Sequence, residues 1–157
     1  MKKHSLHLFF CLFIFGCGGG GGGSSMPEQV IVDSDNIFQG ETCADTNRVG
    51  MKKCDLKHDN IDRFYYVYTP NNLDSNKSIP VLFAFHGYGS SAIRHLNYTN
   101  YFSLADLNNF IVVYPQGSTT ATLSSHWNVG GWTSKSTTND IDFVDTVIDL
   151  LKDKIPI

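Results

Sequence analysis

The densest concentration of reactive side chains and small residues in the chain is His86-Gly87-Tyr88-Gly89-Ser90-Ser91. It follows an apolar run, Val81-Leu82-Phe83-Ala84-Phe85, that stops abruptly at the imidazole. Three readings of this stretch compete. Gly87 to Ala92 matches G-x-G-x-x-A, the turn that cradles a dinucleotide pyrophosphate. Such a site needs an acidic residue near the end of the next strand to bind the ribose, and Tyr114-Pro115-Gln116-Gly117 offers none. In the second reading the glycine merely turns the chain after a strand. In the third the loop stabilises an oxyanion. Acyl transfer builds negative charge on a carbonyl oxygen, backbone N–H groups aimed at that oxygen are the usual stabilisers, and glycines let the backbone come close.

Other candidate residues are scattered. Trp127 lies in His126-Trp127-Asn128, inside a long stretch rich in Ser, Thr and Gly, from Ser118 to Thr138; loops of that length are often functional. Asp140 and Asp142 stand at the start of a helical pattern, where carboxylates complement the positive end of the helix dipole. Asp33, Asp35 and Asn36 hint at a calcium loop but lack its glycine and closing glutamate.

The elements that must position these groups are legible in the hydrophobic pattern. Arg63 to Pro70 alternates, with Phe64, Tyr66 and Tyr68 on one face and Tyr65, Val67 and Thr69 on the other, as a strand does. Val81–Phe85 and Phe110–Tyr114 are continuously apolar, the pattern of strands buried on both faces of a parallel sheet. Ala92 to Leu107 predicts a helix with Ile93, Leu96, Tyr101, Leu104 and Leu107 on one face. Asn139 to Ile155 predicts a second, capped by Asn139 and burying Ile141, Val144, Val147, Ile148, Leu151 and Ile155. Strand, helix, strand, helix in that order predicts right-handed crossovers and a parallel sheet.

The 157 residues suffice for one domain with a core, and 41% hydrophobic residues is ordinary for a globular protein. A net charge of −3 carries no sign of nucleic-acid binding. Residues 1–17 read as a targeting segment: Lys2-Lys3, a short apolar run Leu8–Phe15, then Ile14-Phe15-Gly16-Cys17. The last four resemble the lipobox of bacterial lipoproteins, in which the cysteine becomes lipidated; the alternative is an ordinary secretory signal. Either predicts export, and lipidation at Cys17 predicts a membrane anchor. Residues 18–27, with Gly18–Gly23 and Ser24-Ser25, read as a flexible tether. With Cys11 in the signal and Cys17 assigned to lipid, Cys43 and Cys54 remain as a disulfide pair, a bridge worth about 3 kcal/mol in the chain-entropy model. Metal ligation by Cys43, Cys54 and His58 is the rival, without C-x-x-C spacing to support it.

Taken in order, Arg63-Phe-Tyr-Tyr-Val-Tyr-Thr-Pro70, Pro80-Val-Leu-Phe-Ala-Phe-His-Gly-Tyr-Gly89, Leu104-Ala-Asp106, Phe110-Ile-Val-Val-Tyr-Pro-Gln-Gly117, Trp127-Asn128 and Asn139-Asp-Ile-Asp-Phe-Val144 resemble the secreted esterase family of polyhydroxybutyrate depolymerases and feruloyl esterases. The resemblance covers Arg63 to Ile157. It implies an α/β-hydrolase-type three-layer sandwich around a mostly parallel sheet, with residues 28–157 as its N-terminal part. It also implies hydrolysis of carboxylic esters by a Ser-His-Asp mechanism without metal or cofactor. The substrate would be a polyester or a feruloylated or acetylated polysaccharide. By position, Tyr88 would give an oxyanion-binding backbone N–H, and His86 and Gly87 would shape that loop on the substrate side. Trp127 would line or brace the site, or simply pack beneath a loop. Asp140 and Asp142 match an acidic pair of the family at this helix start and are read as helix-terminal charges. The nucleophile motif G-x-S-x-G is absent from the sequence. The chain is therefore expected to be an N-terminal fragment, inactive alone. The alternative is a non-catalytic exported surface or binding lipoprotein that retains half of such a fold.

Overall fold

The computed structural model describes residues 41–119, 124–133 and 135–157. The expected signal peptide, Cys17 lipidation site and tether, and the Asp33, Asp35 and Asn36 stretch, lie outside the described residues. Five strands form one sheet: β1 (Glu41–Asp45), β2 (Met51–His58), β3 (Ile61–Tyr68), β4 (Val81–Phe83) and β5 (Ile111–Pro115), in the spatial order β1-β2-β3-β5-β4. Three α-helices, α1 (Ala92–Thr99), α2 (Phe102–Asn108) and α3 (Asp140–Lys152), and a 3₁₀ turn at Gly131–Thr133 complete the described elements.

This sheet corrects the fold expected above. β1–β2, β2–β3 and β3–β5 are antiparallel, and only β4–β5 is parallel, so the chain does not form a mostly parallel α/β-hydrolase-type sandwich. The connections explain the difference. β2 and β3 are joined by two residues, Asp59 and Asn60, both at positive φ, the arrangement that suits a tight hairpin. Only β4 and β5 are separated by helices long enough to return the chain in the same direction. Neither β1 nor β2 is evident from propensity, because Met51-Lys-Lys-Cys-Asp-Leu-Lys-His58 is rich in residues depleted from strands. Its period-2 burial shows only in the fold, with Cys54, Leu56 and His58 inward.

The sheet has a hydrophobic cluster on each face. One joins Cys54, Leu56, Tyr65, Val67, Ile111 and Val113 to Phe143, Val147 and Leu151 of α3. The other joins Met51, Tyr68, Val112 and Tyr114 to Ala92 and Leu96 of α1 and Phe102 and Ala105 of α2. The alternation expected in β3 is present, with Tyr65 and Val67 in the first cluster and Tyr68, Phe64 and Tyr66 against the second. β5 lies inside the sheet between β3 and β4, and Ile111 to Tyr114 are wholly buried as expected. β4, expected to be buried on both faces, is instead the outer strand, and Leu82 and Phe85 are partly exposed. The single helix expected over Ala92–Leu107 is two. Asn100 caps α1 in the left-handed region at φ 46°, which resets the helical phase. The buried residues are consequently Ala92, Leu96, Phe102 and Ala105, while Ile93, Leu104 and Leu107 are exposed. α3 starts as expected, with the Asn139 side chain accepting from the Asp142 N–H. It buries Asp140, Phe143, Val147 and Leu151, and leaves Ile141 exposed. Cys43 and Cys54 face each other across β1–β2 and form a disulfide, with Cα atoms 4.0 Å apart.

Candidate functional site

Because β4 and β5 run in parallel, the residues that follow each strand emerge at the same end of the sheet. This brings His86-Gly87 beside Gln116-Gly117. The His86 ring is buried. Its Nε2 accepts from the Gly117 N–H at 3.0 Å and lies 3.1 Å from the Gln116 amide nitrogen. An acceptor at Nε2 means that the proton of the neutral ring is on Nδ1, and Nδ1 lies 2.8 Å from the Gly87 carbonyl oxygen, positioned to donate to it. Burial pushes the His86 pKa below its ordinary value; the hydrogen bond to Gly87 opposes that shift, and nearby His95 adds to it. Both ring nitrogens are engaged in structural hydrogen bonds, so this geometry makes His86 an organiser of the loop and leaves it no lone pair with which to take a substrate proton.

The rest of the loop is pinned from the Ser124–Trp127 segment. Trp127 Nε1–H donates to the His86 carbonyl at 2.9 Å, and its ring packs against His86 and Phe85. Trp127 is thus a brace with part of its surface still open. The Gly89 N–H donates to Ser125 O at 2.8 Å, and Ser125 Oγ donates to Ser90 O. The Ser90 N–H closes the turn on Gly87 O at 3.1 Å. Gly89 has φ 71°, a backbone conformation that glycine takes without steric cost. Gly87, Tyr88 and Gly89 are exposed, and a Cβ added at either glycine would meet nothing within 4 Å. Gly117 is the opposite case. A Cβ there would lie 2.5 Å from His126 O and 3.2 Å from His86 Cε1, so only glycine lets the segment after β5 pass His126 this closely.

Behind this loop a buried ion pair joins β3 to α3. Arg63 Nη2 donates to Asp140 Oδ1 at 2.8 Å and to Gln116 O at 3.2 Å, with the guanidinium 3.9 Å above the Phe143 ring. Asp140 Oδ2 accepts from the Asn128 N–H at 2.6 Å, and the Asn128 amide donates to Thr138 O and Ser136 O. Desolvation lowers the Arg63 pKa, and the facing Asp140 carboxylate resists that shift. Asp140 is therefore more than a helix-terminal charge: it fixes the segment that carries Trp127. Asp142 lies farther out and bonds His58 Nε2 at 2.8 Å.

His86, Gly87, Tyr88 and Trp127 are thus one continuous unit. Cys43–Cys54 is separate, in the β1–β2 hairpin. Two clefts, of about 520 Å³ along Glu41-Thr42, Asp55–Lys57 and Asp62–Phe64 and about 300 Å³ along Ile61–Phe64 and Gln116–Thr119, contain neither Gly87 nor Tyr88. Gln116 and Arg63 are the residues that sequence reasoning passed over. Both carried a signal. Gln116 is among the first polar residues after a wholly apolar strand, as His86 is, and Arg63 is in phase with buried Tyr65 and Val67. A charge on the inward face requires a partner.

No family model matches the chain. Over 90 residues, 57% of its length, it is 34% identical to the bifunctional acetylxylan esterase/xylanase XynS20E of Neocallimastix patriciarum. Over 64 residues, 41% of its length, it is 39% identical to feruloyl esterase B of Thermothelomyces thermophilus. The matches span 12% and 20% of those two proteins, so the chain corresponds to a minor part of each. Over part of its length, this chain is similar to esterases.

Proposed function

We propose that the chain supplies the oxyanion-binding loop of an exported carboxylic ester hydrolase. The observation that carries this reading is the Gly87–Tyr88 peptide. Its carbonyl is held by His86 Nδ1 and by the Ser90 N–H, in a loop of exposed, small residues at the end of a parallel strand pair. A preorganised backbone donor of that kind is worth most where charge develops in the transition state. The partial relatives support an ester on a polysaccharide, acetyl or feruloyl, over a polyester. In this reading a serine in G-x-S-x-G attacks the ester carbonyl, a histidine takes its proton and an aspartate orients that histidine. All three would come from sequence beyond these 157 residues.

The test fuses the chain to a segment bearing G-x-S-x-G and its acid and base, taken from an esterase similar to it, and follows release of p-nitrophenol from a short acyl ester. Tyr88→Pro, which deletes the backbone N–H, should lower kcat by about 10²–10³-fold, the scale for one oxyanion donor. Tyr88→Ala, which keeps the N–H, should leave kcat within a few-fold. No turnover by a folded fusion refutes the reading. So does robust turnover by the 157 residues alone that survives Tyr88→Pro, and so does equal loss in the two variants.

The same reading places the protein outside the cytoplasm, tethered by lipid at Cys17, on the strength of the Gly16-Cys17 motif behind a short apolar run. Cys17→Ala should move the protein from the membrane fraction to the soluble fraction. An unmodified Cys17 peptide mass in the wild type, with unchanged fractionation, would contradict the anchor.

A further inference from the structure

We infer that Gln116 is the positioning residue of the oxyanion loop, and that it acts by selecting the tautomer of His86. This rests on the functional reading above as far as catalysis is concerned, while the positioning itself stands on geometry. The Gln116 side chain is used at both ends. Its Nε2 lies 3.1 Å from His86 Nε2 and donates to Gly117 O at 3.0 Å. Its Oε1 accepts from the N–H of Ala92, the first residue of α1, at 2.9 Å. One amide therefore spans the start of the loop, at His86, and its end, where the helix begins.

The consequence passes through three bonds. The Gln116 amide, together with the Gly117 N–H, presents donors to His86 Nε2, so that nitrogen must hold its lone pair. The ring proton then resides on Nδ1 and is donated to Gly87 O. A trans peptide is planar, with its C=O and N–H pointing in opposite directions, and the described chain contains no cis peptide bond. Fixing Gly87 O therefore fixes the direction of the Tyr88 N–H, on the side away from His86. If His86 carried its proton on Nε2 instead, that proton would collide with two donors, and Nδ1 would face Gly87 O lone pair to lone pair. The peptide would rotate and the Tyr88 N–H would swing with it. Gln116 touches no substrate in this account; it sets where the donor points.

Gln116→Glu is the discriminating variant. It keeps an oxygen for the Ala92 N–H and removes one of the two donors facing His86 Nε2, putting there a carboxylate oxygen that can only accept, while the Gly117 N–H remains. The expected result is that the ¹⁵N imidazole spectrum of His86, a neutral Nδ1–H ring in the wild-type chain near neutral pH, becomes that of a ring protonated at Nε2. The Ala92 amide should keep its hydrogen-exchange protection in Gln116→Glu and lose it in Gln116→Leu. In the esterase fusion, Gln116→Glu should lower kcat by about tenfold to a hundredfold, as a misplaced group does, with KM within about twofold of wild type. A residue that merely held the fold together would leave the tautomer alone. Retention of the neutral Nδ1–H ring in Gln116→Glu overturns the inference, as does a wild-type ring protonated on Nε2. An inactive wild-type fusion would refute the functional reading, yet the spectrum of the chain would still decide the positioning.

Discussion

Asp140→Ala is expected to lower the unfolding free energy by about 3–5 kcal/mol, the cost of leaving one member of a buried ion pair alone. The side chains of Arg63 and Asp140 are 2% and 7% exposed, so water cannot take the place of the missing partner. Two further bonds go with it. The Asn128 N–H loses its acceptor at 2.6 Å, and Thr138 Oγ1 loses a contact at 3.4 Å. The measurement is chemical denaturation at unchanged m-value. A loss below about 1 kcal/mol, the range of an exposed pair, would show that the site is wetter than its geometry implies. Asp140→Asn keeps an oxygen for Asn128 while discarding the charge, and should fall between the wild type and Asp140→Ala. Arg63→Met combined with Asp140→Leu removes both charges together. It should cost much less than Asp140→Ala alone, because no unpaired charge remains.

Phe143→Ala is expected to cost about 3–5 kcal/mol, the range for truncating a fully buried aromatic side chain. Phe143 has no exposed surface and joins α3 to β2, β3 and β5 in one cluster. Its ring face lies under the Arg63 guanidinium at 3.9 Å, and it meets the His58 ring edge-on at 5.9 Å. Phe143→Leu isolates the electrostatic part, since it preserves most apolar volume but removes the π face. Because Arg63 touches both Asp140 and Phe143, the two sites should not behave independently. In a cycle of Asp140→Asn and Phe143→Leu, the double variant should differ from the sum of the singles by about 0.5–3 kcal/mol, as for residues that share a partner. Additivity within experimental error would mean that the guanidinium is held by only one of them.

These two predictions bear on function as well as stability. Asp140 fixes Asn128, the neighbour of Trp127, and Trp127 holds the His86 carbonyl. In the esterase reading, a partial loosening at Asp140 that leaves the chain folded should therefore lower kcat through the oxyanion loop.

Local pattern alone was enough to mark several features. The abrupt change from Phe85 to His86 marked the loop that follows β4, because an apolar run gives way there to an imidazole, glycines and serines. The alternation of β3, the buried run of β5 and the Asn139 cap of α3 are short-range properties, and the structure has all three. Pairing of Cys43 with Cys54 followed from counting cysteines in a chain expected to be exported, and the two face each other in register.

What needed the tertiary structure was long-range. Sheet direction depends on which strands become neighbours. The polar β2 strand, with three lysines and an aspartate, entered the sheet because Cys54, Leu56 and His58 share one face, and its hairpin with β3 made most of the sheet antiparallel. The phase of the helices depended on Asn100, a single residue in the left-handed region: Leu96 is buried as expected, but Ala92, Phe102 and Ala105 are buried with it in place of Ile93, Leu104 and Leu107. The role of Gln116 is invisible at 30 positions from His86, and it exists only because β4 and β5 end side by side. The same holds for Arg63 and Asp140, 77 positions apart. Periodicity reports which residues are apolar and how they repeat, whereas hydrogen bonds and ion pairs between distant residues depend on the direction and register of the strands that carry them.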